Sequence, residues 1–508
     1  MEIKFPFSLI IAFITLLFLL FNLIKNVTKK SKKTSSVAGK LPPGPWKLPF
    51  IGSIHHLAGS SAPPNHVLRD LATKHGGIMH LQLGEISAVV ISTPRAAKQV
   101  LKTHDVAFAS RPEILASKIM TNNQNIAFAP YGEYWRQMRK ICILELLSSK
   151  MVSSFSPIRE AEVSKLVQYM KSSSGSPVNL TEKIFQYTNA VVSRAAFGTK
   201  INDEVGVLSL INEGIALAGG FDVADLFPSR RFLHVLSGME PRLRKLRRRI
   251  DQILDQIIDQ HRQKHNDNIG YCDEDIVDVL LRLQEKGGFN FPITTDNIKA
   301  VIQDMFSAGT ETSASTTEWA MSEMLRNPGV MEKAQAELRE VVKGKDKIQE
   351  IDVKELKYLK MVIKETLRLH PPIPLLLPRE CREEREIEGY VIPPKTKVIV
   401  NAWAINRDPE HWKDPESFKP ERFRDNNDGM EYMTGGQNME FIPFGGGRRV
   451  CPGIAFGLAN VELPLANLLY HFRWKLPDGT KPADVDMTEV FGASSKRKNN
   501  LFLIATPA

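Results

Sequence analysis

The residues with the clearest chemical meaning lie in a glycine-rich loop at positions 444–453, with the sequence FGGGRRVCPG. The loop places Phe444, Gly447, Arg449, Cys451 and Gly453 at fixed spacings. Glycines let a backbone lie against a flat group and adopt positive φ, and nearby N–H groups stabilise a thiolate. An arginine two residues away can bind an anionic part of the same ligand. The loop therefore predicts a thiolate ligand, and a lone thiolate suits haem iron, where it favours O–O cleavage.

The alternative for this loop is a buried structural cysteine in a turn, the usual environment of a free cysteine. The loop resembles the cysteine loop of the haem-thiolate monooxygenases, the cytochrome P450 superfamily. That resemblance implies that Cys451 is the axial ligand of the iron of haem b. It also implies that Phe444, Gly447, Arg449 and Gly453 contact the cofactor.

A charged pair on a predicted helix forms a second motif. Apolar residues recur at helical spacing over 353–370, and Pro371 ends the pattern. Glu365 and Arg368 share one face, and a solvated surface pair is the alternative interpretation. In the family, residues matching Glu365, Arg368 and Arg422 form a buried triad that locks the core behind the haem. One carboxylate shared by two guanidinium groups satisfies its charge without water.

The stretch AGTETS at 308–313 lies inside a pattern that predicts one long helix from about residue 294 to Asn327. Hydroxyl side chains weaken a helix locally because they compete for the i−4 carbonyl, and a tolerated polar patch is the alternative. The set resembles the family's oxygen-activation groove. By that resemblance, Thr312 hydrogen-bonds dioxygen and Glu311 relays protons to it. Ser313 stands where the family often has a second threonine.

Four residues are expected from the resemblance to bind the two carboxylates of the haem. Trp135 and Arg139 are four residues apart, so on a helix they reach the same side. The family uses this pair to hold a propionate, and Arg379 and Arg449 match further arginines at the same edge. Charge-assisted hydrogen bonds would hold both carboxylates. The W-x-x-x-R motif is weak alone, and its weight comes from its order among the others.

The resemblance also predicts a substrate pocket with walls that are almost entirely apolar. A charged substrate would lose its water there at a cost of several kcal/mol. The more polar segment 114–128 would form the roof. We expect a terpenoid skeleton (sesqui-, di- or monoterpene), with an alkaloid or flavonoid scaffold as the alternative. The predicted wall positions are Ile302, Met305, Ala308, Ile373, Leu375, Leu376, Phe491 and Ala493.

Helical patterns dominate the 508 residues, with short strand-like runs such as 88–92 and 397–400. We find neither a repeat nor an internal linker, so the sequence predicts one catalytic haem domain at 46–508, mainly α with small β-sheets. The spacing of the four cysteines indicates neither a zinc site nor a disulfide framework. The chain lacks a G-x-G-x-x-G strand–helix unit, so NADPH electrons would come through a separate reductase.

The N-terminus predicts a membrane anchor. Residues 5–24 form a 20-residue stretch without charge, enough to span about 30 Å of hydrocarbon. Six lysines and no acid follow over 25–40, a flank that the positive-inside rule places in the cytosol. We predict a transmembrane signal anchor at 1–25, a basic flank and proline-rich hinge at 26–45, and a cytosolic catalytic domain on the endoplasmic reticulum membrane. The net charge of +10 thus does not indicate nucleic acid.

The motifs occur in the family's order along nearly the whole chain. The phrases LPPGPWKLP at 41–49 and IKETLRLHPP at 363–372 resemble the plant microsomal group, in particular its seventy-one-D subfamily of terpenoid and alkaloid oxidases. The chain would insert one oxygen atom from O₂ into an apolar small molecule. Two alternatives stay open. One is an O₂-independent haem-thiolate isomerase or dehydratase, which tends to lose the acid–threonine pair retained here. The other is a haem-binding sensor or adaptor without turnover.

Overall fold

Helices make up most of the protein in the computed structural model. The structure describes residues 40–198, 210, 213–214, 217, 222–266, 274–424, 432, 439–492 and 494–508. The predicted anchor at 1–25 and positions 26–39 of the hinge lie outside these residues. Among the residues that the structure describes, no helix combines the length and apolar composition needed to cross a bilayer.

The ends of the helices follow ordinary capping chemistry. The hydroxyl of Thr294 accepts the N–H of Asn297, whose side chain accepts the N–H of Thr294 in return. Proline sets other ends, because it cannot continue a helix. The helices are α1 (Ile54–Ala58), α2 (Pro64–His75), α3 (Pro94–Lys98), α4 (Leu115–Thr121), α5 (Glu133–Ile141), α6 (Ser149–Ser154), α7 (Ser156–Ser172), α8 (Leu180–Phe197), α9 (Val223–Leu226), α10 (Arg231–Ser237), α11 (Met239–Asn266), α12 (Ile276–Lys286), α13 (Thr295–Gly309), α14 (Glu311–Arg326), α15 (Pro328–Val341), α16 (Glu350–Val353), α17 (Lys357–Leu369), α18 (Ala402–Ile405) and α19 (Ile454–His471).

The helix predicted from residue 294 to Asn327 is interrupted at Thr310, between α13 and α14. The N–H of Thr310 lies 3.4 Å from the carbonyl oxygen of Phe306, a long hydrogen bond. The hydroxyl of Thr312 donates to the carbonyl of Ala308 at 2.5 Å. The break has the cause expected from the sequence, because a hydroxyl competes with the main chain for an i−4 carbonyl.

The strands form small sheets, as predicted. The strands are β1 (Ile78–Leu83), β2 (Ile86–Ile91), β3 (Pro177–Asn179), β4 (Arg379–Glu380), β5 (Arg385–Ile387), β6 (Tyr390–Ile392), β7 (Lys397–Val400), β8 (Phe472–Lys475), β9 (Glu489–Phe491), β10 (Ser495–Arg497) and β11 (Phe502–Pro507). A four-stranded sheet has the order β1–β2–β7–β4, in which β2 and β7 are parallel and the other pairs antiparallel. A three-stranded sheet has the order β3–β11–β8, and β5–β6 and β9–β10 are antiparallel pairs.

Three clusters of buried side chains form the core. The largest joins the long helices, including α8, α13, α14, α17 and α19. The other two cover opposite faces of the four-stranded sheet: Val89 and Ile91 point into one cluster, and Ala88 and Val90 into the other. This alternation is the period-2 pattern of a strand that is buried on both faces.

Candidate functional site

The cysteine loop at 444–453 is held in shape by its own backbone. Cys451 donates its N–H to the carbonyl of Phe444 at 3.0 Å, which closes the loop just before α19. Gly447 has φ +66°, and a Cβ there would collide with the carbonyl of Leu101, so this position requires glycine. A Cβ at Gly453 would meet no described heavy atom within 4 Å. The loop thus presents open space beside a cysteine that is only partly buried.

Burial opposes the thiolate form of Cys451, and two neighbouring groups partly offset this effect. Burial raises the pKa of the thiol, while a hydrogen bond from the main chain of Gly453 and the charge of Arg139 act in the opposite direction. The protein alone therefore leaves this thiol protonated. A bound cation deprotonates a coordinating thiol outright, and the N–H and the guanidinium would then stabilise the thiolate.

Arginine side chains cluster beside this loop. Burial, followed by repulsion from Arg379 and Arg139, lowers the pKa of Arg449 to about 9. Burial lowers the pKa of Arg379 to about 10, partly offset by Asp105 at 3.2 Å. Arg111 is also buried, and its pKa is lowered by burial and by the other three arginines. Cations that repel one another in a buried site fit an anionic ligand, and two carboxylates would relieve the repulsion.

The residues of the predicted carboxylate-sharing triad come together at α17. Arg368 makes two bonds to Glu365, at 2.8 and 2.9 Å, and Arg422 donates to the same carboxylate at 2.9 Å. The N–H of Lys419 adds a bond at 2.8 Å. The side chains of Glu365 and Arg368 are fully buried. Both guanidinium groups also donate to carbonyls of the 413–417 segment, so the triad ties α17 to that segment.

The hydroxyl and acid predicted for proton transfer lie at the start of α14. Thr312 is held by its bond to Ala308, which is an exposed position in the helix. Glu311 is partly buried and lies 3.4 Å from the ammonium group of Lys496 on β10. Glu311 and Thr312 are thus consecutive residues in the first turn of α14, directly after the helix break.

Comparisons with known proteins show which family the chain belongs to. The cytochrome P450 family model matches residues 42–504. The chain belongs to the cytochrome P450 family. It is 57% identical to premnaspirodiene oxygenase of Hyoscyamus muticus, over 99% of this chain and 98% of that protein. It is 55% identical to 5-epiaristolochene 1,3-dihydroxylase of Nicotiana tabacum, over 99% and 98%. A zebra fish cytochrome P450 solved with progesterone superposes with a TM-score of 0.75 and 25% identity, covering 88% of this chain and all of that chain.

Haem is the cofactor that this family implies, and the donor set fits it. The loop offers a thiol beside an uncrowded glycine, and the arginine cluster offers the charge that two propionates need. Cys451 would hold the iron, while Arg139, Arg379 and Arg449 would hold the carboxylates. Arg449 donates to the carbonyls of Ala109, Ile126 and Ala129, which hold its guanidinium in place.

Two details of this cytochrome P450 add to the sequence analysis. The indole N–H of Trp135 donates to the carbonyl of Ile126 at 3.1 Å, and the guanidinium of Arg449 stacks 4.1 Å from its ring. Trp135 thus supports the cluster through stacking. Arg111 was missed, although it donates to the carbonyls of Ala127, Leu377 and Pro378. Its spacing in the sequence carries no signal, and only its burial among cations reveals it.

The predicted pocket walls are placed unevenly. Met305 and Ala308 retain accessible surface on the helix next to Thr312, and Ile373 is partly buried. Ile302 is 0% exposed in the main core and does not line a pocket, contrary to the prediction. The main core covers the side of α13 that carries Ile302. Helical spacing alone cannot show which side of a helix the core covers. Ala493 lies outside the described residues.

The remaining wall positions lie near the four-stranded sheet. Leu375 is buried in the cluster on one face of the sheet, so it too is mainly a core residue, and Phe491 packs against the same cluster. Leu376 adopts φ +50°, an uncommon backbone conformation for a leucine. Its side chain packs against the cluster on the other face of the sheet. It also lies next to Gly445 of the cysteine loop, where a Cβ would be 3.7 Å from it.

The roof segment is fixed to the helix below it by a carboxylate that the sequence analysis missed. Asp304 accepts the side-chain N–H of Asn125 at 2.9 Å and the main-chain N–H groups of Ile126 and Ala127. The hydroxyl of Ser117 donates to Asn125 in turn, at 3.2 Å. Ser117 and Asn125 of the roof are therefore bonded to each other, and Asn125 is bonded to α13.

Proposed function

We propose that this plant cytochrome P450 monooxygenase oxidises an apolar terpenoid. The observation that carries the proposal is the surface beside Thr312, where Met305 and Ala308 are accessible and apolar. Such walls accept a hydrocarbon skeleton without leaving polar groups unpaired. Relatives at 57% and 55% identity are named for the oxidation of premnaspirodiene and 5-epiaristolochene, which supports the same substrate class. A relative at 52% identity, from Sinopodophyllum hexandrum, is named desmethyl-deoxy-podophyllotoxin synthase, so other scaffolds are the alternative.

Haem, when bound, supplies the oxygen chemistry, and the residues of the chain position substrate and protons. The hydroxyl of Thr312 is already engaged by Ala308, which fixes its oxygen at the helix break. Glu311 precedes it in the sequence and pairs with Lys496, a half-exposed side chain. We propose that protons pass from solvent through Glu311 to the Thr312 hydroxyl. A positioned donor of this kind contributes roughly 10²–10⁴-fold to proton transfer.

The surface beside the cysteine loop offers a docking site for an electron donor. Three exposed arginines, Arg136, Arg382 and Arg448, lie with their guanidinium groups 5.2 to 6.0 Å from the ring of Tyr131. Arg448 is three residues from Cys451. We propose that an NADPH-dependent reductase with an acidic surface binds here, since complementary charge steers such encounters.

Exposed apolar side chains support attachment to a membrane. Trp46 and Phe50 are 63% and 55% exposed, and Val235 and Leu236 on α10 are 79% and 77% exposed. The two groups are neighbours, because Glu85 links to Arg230 while Gly84 bonds to Ile51. We propose that this surface rests on the endoplasmic reticulum membrane, next to the N-terminal anchor. Exposed apolar side chains from neighbouring segments are typical of an interaction surface.

The spectrum of the reduced protein with carbon monoxide tests the haem site. The wild type should show the long-wavelength band of a thiolate-bound haem, Cys451→Ala should lose it, and Cys451→His should shift it toward a histidine-type band. Persistence of the thiolate band in Cys451→Ala would overturn the assignment of the site.

Difference spectra and product analysis against terpenes, alkaloids and flavonoids test the substrate class. A terpene that gives both a binding spectrum and an oxidised product with purified reductase supports the proposal. Turnover of only an alkaloid or flavonoid would replace it.

Two further variants test the partner surfaces. Arg448→Glu should raise the reductase concentration needed for half-maximal turnover, whereas Arg244→Glu, in an exposed ion pair on α11, should not. Asn179, in the sequon at 179–181, should carry no glycan in microsomes if the domain is cytosolic. Glycan at that position would contradict the proposed orientation.

A further inference from the structure

His370 is a buried histidine that bonds to two carboxylates. It follows α17 directly, at the end of the helix that carries the Glu365–Arg368 pair. Its Nε2 lies 2.8 Å from Glu323 on α14, and its Nδ1 lies 3.3 Å from Glu489 on β9. All three side chains are less than 10% exposed. Three elements of the fold therefore meet at one imidazole ring.

The hydrogen bonds fix the protonation state of this ring. An ionised carboxylate can only accept hydrogen bonds, and a neutral imidazole has one N–H to donate. Two carboxylate partners therefore require the imidazolium, which has an N–H on each nitrogen. Burial lowers the pKa of His370, but the bonds and charges of Glu323 and Glu489 outweigh it and raise the pKa overall. The indole of Trp319 stacks parallel to the ring at 4.1 Å, a favourable contact for a cation.

The surrounding charges hold Glu489 ionised. His66 on α2 lies 3.5 Å from its second oxygen, and Ser495 donates to the same oxygen at 3.3 Å. Despite burial, the bonds from His370 and His66, together with the charge of Arg407, hold the pKa of Glu489 far below its usual value. Glu323 accepts a further bond from Asn327 at 3.3 Å. Both carboxylates thus have hydrogen-bond donors within the protein.

The same three elements carry the predicted pocket walls. Ile373 follows His370 by three residues, and Phe491 follows Glu489 by two. Between these walls, the N–H of Ser495 donates to the carbonyl of Pro372 at 2.7 Å. Glu323 belongs to α14, the helix that begins with Glu311 and Thr312. A shift at the imidazole would therefore move two walls relative to the helix that bears the proton-transfer residues.

We propose that His370 is a positioning residue for the substrate pocket: as an imidazolium bonded to Glu323 and Glu489, it sets the spacing of the walls at Ile373 and Phe491. The assignment of these walls rests on the proposed function. Loss of the charge at high pH leaves one carboxylate without a donor, so the walls separate and bulky apolar ligands bind less tightly. The pocket is thus sensitive to pH through a residue that does not touch the substrate.

Three proteins test the idea: the wild type, His370→Gln, and the double variant Glu323→Gln/Glu489→Gln. The double variant keeps both hydrogen bonds without charge, because one glutamine accepts from a neutral imidazole and the other donates to it. The probe is clotrimazole, whose imidazole binds haem iron while its triphenylmethyl group needs the walls. Imidazole itself needs no walls and is the reference ligand. The dissociation constants of both are read from difference spectra between pH 6 and 9.5.

For the wild type, clotrimazole binding should weaken as pH rises through the pKa of His370, with imidazole binding as the baseline. His370→Gln should bind clotrimazole about tenfold more weakly at pH 7, as expected if the competent wall spacing is populated about one-tenth of the time. At pH 7 the double variant should bind clotrimazole with the affinity of the wild type. Its clotrimazole affinity should not weaken as pH rises. His411→Gln, in a more exposed pair with Glu440 at 3.2 Å, is the control and should match the wild type.

Thermal unfolding gives a readout that needs no ligand. The wild type should lose stability relative to the double variant as pH rises through the pKa of His370. Equal clotrimazole affinity in His370→Gln and the wild type, or an unchanged alkaline transition in the double variant, would overturn the proposal. A normal carbon monoxide spectrum in every variant would show that this failure leaves the haem site intact, and turnover of a terpene by the wild type would show that it leaves the proposed function intact.

Discussion

Asp304 accepts the main-chain N–H of Ile126 at 2.5 Å, across 178 residues of sequence. The carbonyl of Ile126 in turn accepts the indole N–H of Trp135 and a guanidinium N–H of Arg449. One residue of the roof therefore connects the pocket helix α13 with the cluster that would bind the haem carboxylates. Movement of the roof on ligand binding would therefore shift both the helix α13 and the arginine cluster.

The first prediction concerns the pH dependence that Asp304 confers. Burial raises the pKa of this carboxyl to about 6 from 3.8, against the hydrogen bonds from Asn125, Ile126 and Ala127. The folded protein therefore holds this proton more tightly than the unfolded chain. The stabilisation is complete below pH 3.8 and is lost as pH rises to about 6, up to about 3 kcal/mol at 1.36 kcal/mol per pKa unit.

Asp304→Asn should remove this contribution from the slope of unfolding free energy against pH. Denaturant unfolding of the wild type and the variant at several pH values between 4 and 7 measures it. Asp296→Asn, on the exposed side of the same helix, is the control and should keep the slope of the wild type. Equal slopes for Asp304→Asn and the wild type would show that the carboxyl is not held protonated.

The second prediction concerns the buried triad. Glu365→Gln leaves the guanidinium groups of Arg368 and Arg422 without their shared carboxylate, so the free energy of unfolding should fall by about 3–5 kcal/mol. Arg422→Lys should cost less, because the side chain of Arg422 is 12% exposed and can reach water. Haem content per protein and the unfolding midpoint measure both effects.

A nearby surface pair is the control for the triad. Glu421 binds Lys333 at 2.6 Å, and both side chains are accessible to solvent. Glu421→Gln should cost no more than about 1 kcal/mol, the usual range for an exposed ion pair. A cost for Glu365→Gln as small as that of Glu421→Gln would argue against a structural lock.

The third prediction concerns retention of the haem. Arg139 makes a bond to the carbonyl of Val450 at 2.6 Å and lies in the repelling arginine cluster. A charge-assisted hydrogen bond contributes about 1.5–3 kcal/mol, so Arg139→Met should release haem at least about tenfold faster. Transfer of haem to apomyoglobin measures the rate. Arg136→Met, on the exposed side of the same helix, should release haem at the rate of the wild type.

The motifs show how far the sequence determines the site. The family spacing predicts that Glu365, Arg368 and Arg422 lie together, and both guanidinium groups lie within 2.9 Å of the carboxylate of Glu365. The break at Thr310 also follows from local chemistry, because hydroxyl groups compete for carbonyls within one turn. Such features depend on residues close in sequence or on a family pattern.

The contacts that could not be predicted join distant segments outside any motif. Asp304 meets Ile126, and Arg111 meets Leu377 266 residues away, with nothing in either local sequence to mark them. His370 was seen only as the end of a helix, although it binds two carboxylates. Ile302 was predicted to line the pocket but is buried in the core. Helical spacing gives the direction of a side chain around the helix axis, but it does not show which neighbouring elements cover that side chain. Packing between elements decides these cases.

The last prediction concerns proton delivery. Thr312→Ala removes the hydroxyl that bonds to Ala308 and leaves haem content near normal, since the hydroxyl is not a haem ligand. NADPH oxidation should continue while the product formed per NADPH falls at least about tenfold and hydrogen peroxide appears, because the positioned proton donor is lost. Thr312→Ser keeps the hydroxyl and should remain coupled. Peroxide and product are measured in the same reaction with purified reductase. Full coupling in Thr312→Ala would exclude this hydroxyl from proton transfer, and uncoupling in Thr312→Ser equal to that in Thr312→Ala would assign the effect to the lost methyl contact.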